Sequence, residues 1–481
     1  MKQPFDPRAR DRQAGGTTLA VLGFIVVISS IFGAVLTRSM NTYRQVSHIA
    51  SWQEALLAAE SGSDTAIVEL RKTLIDPATA FVGWTKTNDD GSALANGEMR
   101  FNCPRVIHGG EGNTELNATV TIDAPPELRD SSARQWYRVR STGTAFLPGA
   151  AKLTSDKRDH LLRRLSFVWD RKTGQRVTRP QSTRLVELLV RPTSFENAIV
   201  SDLPISLNNH KIVIDSYDSR YDETSTGGLY DLAKRRENGD LATNSKLIDA
   251  GDATIMGDAY TNQGSIINGA NITGEQRDDF WQDLIAPKKP TWTVFEMNPV
   301  RVTGTTTLTG GTKDNPKRYK LDAMTIAGTE VVTFAPGVSG VENYVEVWLT
   351  GDLKATGSGT IVIAPNTNVT IFLEGNVDIK GNGTFNANSQ PGRLQLLGVG
   401  PPVGESRKMD FSGNGVIVAA IYAPAHNIAF GATGSVGTMW GSLTGRTLSM
   451  GGTTYIHYDE ALADNGYVTD YKIRSWFEDI R

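Results

Sequence analysis

The chain has 481 residues, with 49 lysines and arginines against 52 aspartates and glutamates, and a formal net charge of −3. That length exceeds what one hydrophobic core organises, so two or more structural units are expected. The even charge balance gives no footprint for nucleic acid. A single cysteine, Cys103, excludes an internal disulfide and any zinc site built on paired cysteines. Glycine is abundant at 48 residues, and 25 of these lie between Arg301 and Glu460, so the C-terminal half is built differently from the rest.

From Leu19 to Leu36 the chain carries eighteen residues without a charge. As a helix this run reaches about 27 Å, close to the hydrocarbon thickness of a bilayer. A secretory signal has a shorter apolar core of about 7–15 residues followed by a small-x-small cleavage site. Here Thr37-Arg38-Ser39-Met40-Asn41 follows instead, so an anchor is the better reading. Lys2, Arg8, Arg10 and Arg12 precede the run, and only Arg38 and Arg44 follow closely. This bias favours a cytoplasmic N-terminus with the bulk of the chain across the membrane.

No proline occurs between Thr17 and Ile75. Beyond the run, Val46, Ile49, Ala50, Leu56, Leu57, Ile67, Leu70 and Leu74 recur at helical spacing. The pattern should stop at Asp76-Pro77, because proline disfavours a helical residue before it. The anchor therefore reads as the first half of one helix over 17–76, roughly 85 Å long. Its apolar face in the membrane includes Leu19, Leu22, Ile25, Ile28, Phe32 and Leu36. Further out, Ala55, Ala58, Ala59 and Gly62 are small enough to let a neighbouring helix approach closely. Glu60 beside them reads as an exposed helical charge, with pairing to a cation on another subunit as the functional alternative.

The stretch Arg12-Gln13-Ala14-Gly15-Gly16, the apolar run, and then "ALLAAESGSDTAI" resemble the N-terminal helix of PilX-type pilus assembly proteins, which are minor-pilin-like components of type IV pilus systems. The resemblance is strongest over residues 12–72, and its specific part is "LLAAESG" about twenty residues after the membrane. It implies a helix bundled with other pilin helices and a head domain outside the membrane. There is a departure. Main pilins are processed at a glycine followed by an aromatic residue, with glutamate at the fifth place. With Gly16 as that glycine, Thr17 takes the aromatic place and Val21 the glutamate place. Cleavage between Gly16 and Thr17 stays open on these residues.

From Phe81 to about Ser194 the pattern is β-like. In "RQWYRVRSTGTA", Tyr137 and Val139 share one face, and Trp136, Arg138 and Arg140 the other. "STRLVELLVRPTS" is a second strand ended by Pro192, and "RRLSFVWDRKTGQRV" suggests a hairpin turning at Thr173-Gly174. A small sheet laid against the end of the long helix would bury the helix's outer stripe. The charged "TSDKRDHLLRRL" (154–165) reads as a solvated loop or short helix. Acidic residues from Asp215 to Glu223 could hold calcium through oxygen ligands. Their spacing matches no known calcium loop, and a solvated acidic loop is the plainer reading.

"GDLKATGSGT" from Gly351 is repeated as "GNVDIKGNGT" from Gly375, an offset of 24. Related fragments begin at Asp410, Ala429 and Ser449, and "ATIMGDAYTNQGSIINGANITG" has the same texture. Short strands separated by Gly and Asn corners suggest a parallel β-solenoid, since these residues tolerate the left-handed backbone of sharp corners. A β-sandwich with long loops is the competing architecture. "IYAPAHNIAF" and "HYDEAL" are also similar to the C-terminal region of large PilX-like proteins.

An enzyme acting on acidic polysaccharide would need Asp, Lys and Arg converging on one face. His457, Asp459 and Glu460, with Lys354, Asp378 and Lys380, are the best such set, though "HYDE" reads better as a closing coil. There is no nucleophile elbow, phosphate loop or histidine pair at metal-ligand spacing. The last stretch, "NGYVTDYKIRSWFEDIR", reads as a short amphipathic helix capping the solenoid or docking a partner.

The expected fold is α+β and mostly β. A basic cytoplasmic leader occupies 1–16, a pilin-like helix 17–76 with its transmembrane part near 18–37, and a β-rich head 77–195. A solenoid-like domain spans 196–460 and a capping segment 461–481. The expected function is a non-enzymatic pilin-like subunit at a bacterial inner membrane or on a surface filament, with no cofactor or metal. Its partners would be other pilin-like subunits, the assembly machinery and lipid, with no nucleic acid. A membrane-anchored adhesin with a head ligand of unknown kind is the first alternative, and an anchored polysaccharide-active enzyme the second.

Overall fold

A computed structural model describes residues 8–86, 98–105, 115–128, 134–146, 181–207, 211–268, 271–386, 390–401, 405–431 and 436–479. The stretch 154–165 and the hairpin expected at Thr173-Gly174 lie outside these residues. Helix α1 runs unbroken from Arg8 to Ile75, 68 residues or about 100 Å. It begins within the basic leader, immediately after Pro7, so the leader from Arg8 onward is not a separate segment. It ends where Asp76-Pro77 was expected to stop it.

The second half of α1 lies on a five-stranded antiparallel sheet. The sheet orders β1 (Met99–Arg105), β2 (Glu115–Asp123), β3 (Tyr137–Phe146), β4 (Gln181–Thr193) and a C-terminal strand, Asp470–Asp479. Period-two alternation places Val120, Ile122, Val139, Val186, Leu188 and Val190 on the helix side, packed with Ala59, Ala66 and Leu70. On β3, Arg138 alternates outward and its Nε donates to Asp123 Oδ1 at 3.0 Å. Pro192 does not end β4, which continues to Thr193. The residue opposite Pro192 is Tyr471 of the C-terminal strand.

That strand corrects the helix expected for the last stretch. Residues 470–479 pair antiparallel with β4, from Asp470 opposite Thr193 to Asp479 opposite Leu185. The physical reason is the edge of β4: left unpaired, it would present a row of free N–H and C=O groups. A register shift between Ile473 and Ser475 interrupts the alternation, which is why the sequence mimics helical spacing there. The C-terminus therefore returns to the head sheet and caps no solenoid end.

Between β4 and the C-terminal strand the chain builds a parallel β-solenoid with three faces. On one face Leu321, Leu349 and Leu373 sit in register on successive coils. On the second the column runs Met324, Leu353, Val377, Met409, Ile428, Leu448, Ile205 and Ile248. On the third it runs Ile361, Phe385, Ile417, Met439, Ile456, Ile214 and Ile255. All the column residues are buried. Each such aliphatic side chain contributes about 1.5–3 kcal/mol relative to exposure.

The repeat at offset 24 is one coil: Leu353, Lys354 and Ala355 pair with Val377, Asp378 and Ile379. Its corner glycines stack. Gly357 and Gly381 adopt φ of 71° and 94°, and a Cβ on Gly381 would lie 2.9 Å from Gly357 N. Side-chain carboxylates and amides tie neighbouring coils at other corners. Asp240 Oδ1 accepts from Asp258 N at 2.8 Å, Asp258 Oδ1 from Glu275 N at 2.7 Å, and Asp352 Oδ1 from Asn376 N at 2.9 Å.

The coils do not stack in chain order. Ile199–Ser201 lies against Leu443–Gly445, and Ile212–Tyr217 against Thr454–Asp459. The chain thus enters mid-stack and builds toward Gln276–Arg277. The segment 281–296 then leads to the opposite part of the stack, where the strand Met297–Thr303 begins the climb back. Along this return, Trp292 packs edge-on against Phe372 and Phe295 approaches Trp348. "HYDE" is therefore not a closing coil, because Thr453–Asp459 is sandwiched between Val436–Trp440 and Ile212–Tyr217.

Candidate membrane and assembly interface

Leu19, Leu22, Ile25, Ile28, Phe32 and Leu36 are all exposed, Leu19 at 78% and Phe32 at 68%. No other element among the described residues covers them. An uncharged helix bare on every side is stable in lipid or among other apolar helices, not in water. The helix is long and apolar enough to cross a membrane. Gly16 and Thr17 lie within α1, upstream of the bare run.

The head begins to cover the helix at Ser51, whose hydroxyl lies 2.7 Å from that of Ser182. Ala55, Ala58, Ala59 and Gly62 are buried against the chain's own sheet rather than a neighbouring helix. A Cβ at Gly62 would lie 2.7 Å from Val120 Cγ2, and one at Gly143 on β3 would run into Ala55 O and Ala59 N. Small residues bring a helix close to whatever faces it, and here the sheet takes that place. Glu60, on the flank, has no ion-pair partner among the described residues.

A second stripe on the opposite side of α1 stays open. Phe24, Val35, Val46, Leu57 and Val68 are all exposed and recur every eleven residues. Eleven residues make slightly more than three helical turns, so the five lie along one slowly winding line. It runs from the bare apolar run onto the back of the head. Reading residues 46–74 as a single stripe merged this line with the sheet-facing one. Spacing of large aliphatics by eleven is the signal that separates them.

The residues weighed for catalysis fall on different faces. Lys354 and Asp378 lie on the second face, where they pair with Asp352 at 3.1 Å and Lys380 at 3.0 Å respectively. His457 and Asp459 lie on the third. His457 Nδ1 is 2.6 Å from Asp215 Oδ1, and Tyr230 stacks on the imidazole with ring centres 3.7 Å apart. Tyr230 also donates to Asp215 Oδ2 at 2.8 Å. Asp459 is buried, which pushes its carboxyl up to about 6, although it accepts from Ser219 N and Ala461 N. In the acidic stretch 215–223, Asp218 is bound by Arg220. Among the described residues no group of three His, Cys, Asp or Glu side chains is arranged to hold a metal ion.

Head and solenoid are joined by polar locks. Arg71 of α1 lies 3.8 Å from Asp283, at the start of the segment 281–296, and within the head it donates twice to Asp470, at 2.7 and 3.0 Å. Arg134 donates to Ser194 Oγ and Ala463 O, and Arg191 pairs with Asp464.

These features define a helix long and apolar enough to cross a membrane, laid on an antiparallel sheet, with a parallel solenoid inserted into that sheet. Residues 285–465 match a family described as a domain of unknown function (DUF7305). No curated protein matches the chain. Among solved structures, the chain is similar to the competence-associated pilin ComZ of Thermus thermophilus at 10% identity and a TM-score of 0.28, covering 90% of this chain and 98% of that one. It is also similar to an ice-binding protein from an Antarctic biological consortium at 12% identity and a TM-score of 0.25, covering 55% and 87%. A third similarity is to an ice-binding protein of the Antarctic ascomycete Antarctomyces psychrotrophicus, at 15% identity and a TM-score of 0.21, covering 55% and 95%.

Proposed function

We propose that this chain is a non-enzymatic, pilin-like structural subunit of the PilX type, working in a type IV pilus or related filament system. The observation that carries this reading is α1. One unbroken helix is bare and apolar from Leu19 to Leu36, is clamped by a sheet in its second half, and carries an open apolar line from Phe24 to Val68. A plain anchor needs only about twenty residues. A rod continuing well past the membrane is suited to nest among similar rods. In this reading the N-terminus is cytoplasmic, the head lies outside the inner membrane, and lipid contacts give way to contacts with other pilin-like subunits during assembly.

The test separates the rod from the anchor. Arg38→Pro would interrupt α1 at a cost of about 3 kcal/mol while leaving the apolar run intact. Leu57→Glu would charge the open line at an exposed site, with an effect on folding of about 0.5 kcal/mol or less. Both variants should reach the membrane and both should be missing from sheared filaments probed with antibody. Normal filament incorporation of both would sink the proposal. Mass spectrometry of the mature protein then reads whether the chain starts at Thr17.

A further inference from the structure

At the junction of head and solenoid lies a cleft of about 440 Å³, within the ~300–1,000 Å³ usual for small-ligand sites, which favour such boundaries. One wall is the outer surface of the first solenoid face, where Tyr344, Asn368, Thr370 and Gln395 stand on successive coils. The other is the crossover from Asp459 to Asn465, with Arg134 and Ser219 beside it. Tyr344, Asn368, Thr370 and Gln395 sit on hydrogen-bonded strands, and Arg134 and Ser219 are tied to the crossover through Ala463 O and Asp459 Oδ1, so the shape is preset.

The chemistry of the lining is selective. It is dominated by amides, hydroxyls and paired charges, which rules out an apolar guest. Three cations (Arg134, Lys313, Arg393) and three carboxylates (Glu342, Asp459, Asp464) line it, so the lining carries no net formal charge to select a phosphate or a metal ion. Arg393 grips Glu342 through Nη1 to Oε2 at 3.0 Å and Nη2 to Oε1 at 3.3 Å. Asn368 Nδ2 joins the same carboxylate at 2.9 Å. This leaves a hydrogen-bonded cluster with spare lone pairs and N–H groups. Tyr344 and Gln390 border it, and neither side chain has a hydrogen-bond partner among the described residues.

We propose that this cleft binds an uncharged carbohydrate, with Glu342, Arg393 and Asn368 bonding neighbouring hydroxyls and Tyr344 and Gln390 completing the site. Carboxylate acceptors beside guanidinium and amide donors match neighbouring sugar hydroxyls, each of which both donates and accepts. The balanced lining avoids burying a charge without a counter-charge, which is costly. The inference goes beyond the filament reading and does not rest on it.

The test is titration calorimetry on the full chain in detergent. The probes are glucose, galactose, mannose, N-acetylglucosamine and their β-1,4-linked dimers, with glucuronate, glucosamine, inorganic phosphate and a neutral tripeptide as comparators. At least one neutral saccharide should bind. Arg393→Ala and Asn368→Ala should each weaken it about tenfold, as should Tyr344→Phe, which removes one oxygen and keeps the ring. Thermal midpoints are read in parallel, and Tyr344→Phe carries the test where a larger change unfolds the solenoid. The proposal is overturned by no neutral saccharide binding below ~10 mM, by tighter binding of a charged probe or the tripeptide, or by affinity unchanged in a folded variant.

Discussion

The separation between α1 and its sheet is set by glycine, and Gly143→Ala measures how firmly. The added methyl would drive into Ala55 O and Ala59 N and come within 3.0 Å of Ala59 Cα. These are backbone atoms of a helix and cannot rotate aside, so the helix must retreat by on the order of 1 Å, a gap that forfeits up to about half of each contact's dispersion energy. Overpacking of this kind costs about 1–3 kcal/mol, and backbone on both sides argues for the upper end. Replacing a strand glycine returns up to about 1 kcal/mol, leaving a net loss of about 2 kcal/mol. Hydrogen exchange reads this directly. Amides of residues 55–70 should exchange about thirtyfold faster, taking 1.4 kcal/mol per factor of ten. Gly23→Ala is the control, since no atom lies within 4 Å of its added methyl. Unchanged protection over 55–70 in Gly143→Ala would refute the claim that the sheet grips the helix at backbone distance.

Two buried groups give opposed pH dependence. The folded chain holds the Asp459 carboxyl up at about 6 against its ordinary 3.8, so the native state binds the extra proton and stability falls as pH rises through that window. Burial holds His426 down at about 4 against 6.5, so the unfolded state binds the proton and stability rises with pH between those values. Each slope is about 1.4 kcal/mol per pH unit, and they offset between pH 4 and 6. Asp459→Asn should therefore gain stability as pH rises from 4.5 to 6, and His426→Gln should lose it. Parallel denaturation slopes in the two variants would disprove the assignment. Deleting residues 470–481 removes the strand on β4, the buried Tyr471 and the Arg71–Asp470 pair. It should lower the head's unfolding midpoint and promote association through the freed edge, read by scanning calorimetry and light scattering. A capping helix on the solenoid would leave the head's transition untouched.

The parts legible in the sequence are those whose signal is local. The long helix announces itself through the proline-free stretch from Thr17 to Ile75, and the solenoid through the match of Gly351 with Gly375. What escaped depends on partners distant in the chain. Trp476 next to Phe477 looks amphipathic until β4, far upstream, is known to need an edge partner. The mid-stack splice is invisible because "ATIMGDAYTNQG" and "GDLKATGSGT" have one texture whichever coil lies above. The small residues at 55–62 signalled close approach, but a helix and a sheet satisfy that equally. The cleft draws on residues 134, 219, 342–344, 368–370, 390–395 and 459–465, and no spacing rule gathers them.

The splice also bears on mechanics. Because Thr193 and Asp470 sit opposite one another in the head sheet, both covalent links to the solenoid leave from a single point. A load applied to anything held by the solenoid divides between two adjacent, hydrogen-bonded strands instead of hanging from one. The stack's free tips meanwhile stand outside the line of tension. Extra turns added at either tip would lengthen the reach of the subunit without weakening its hinge point.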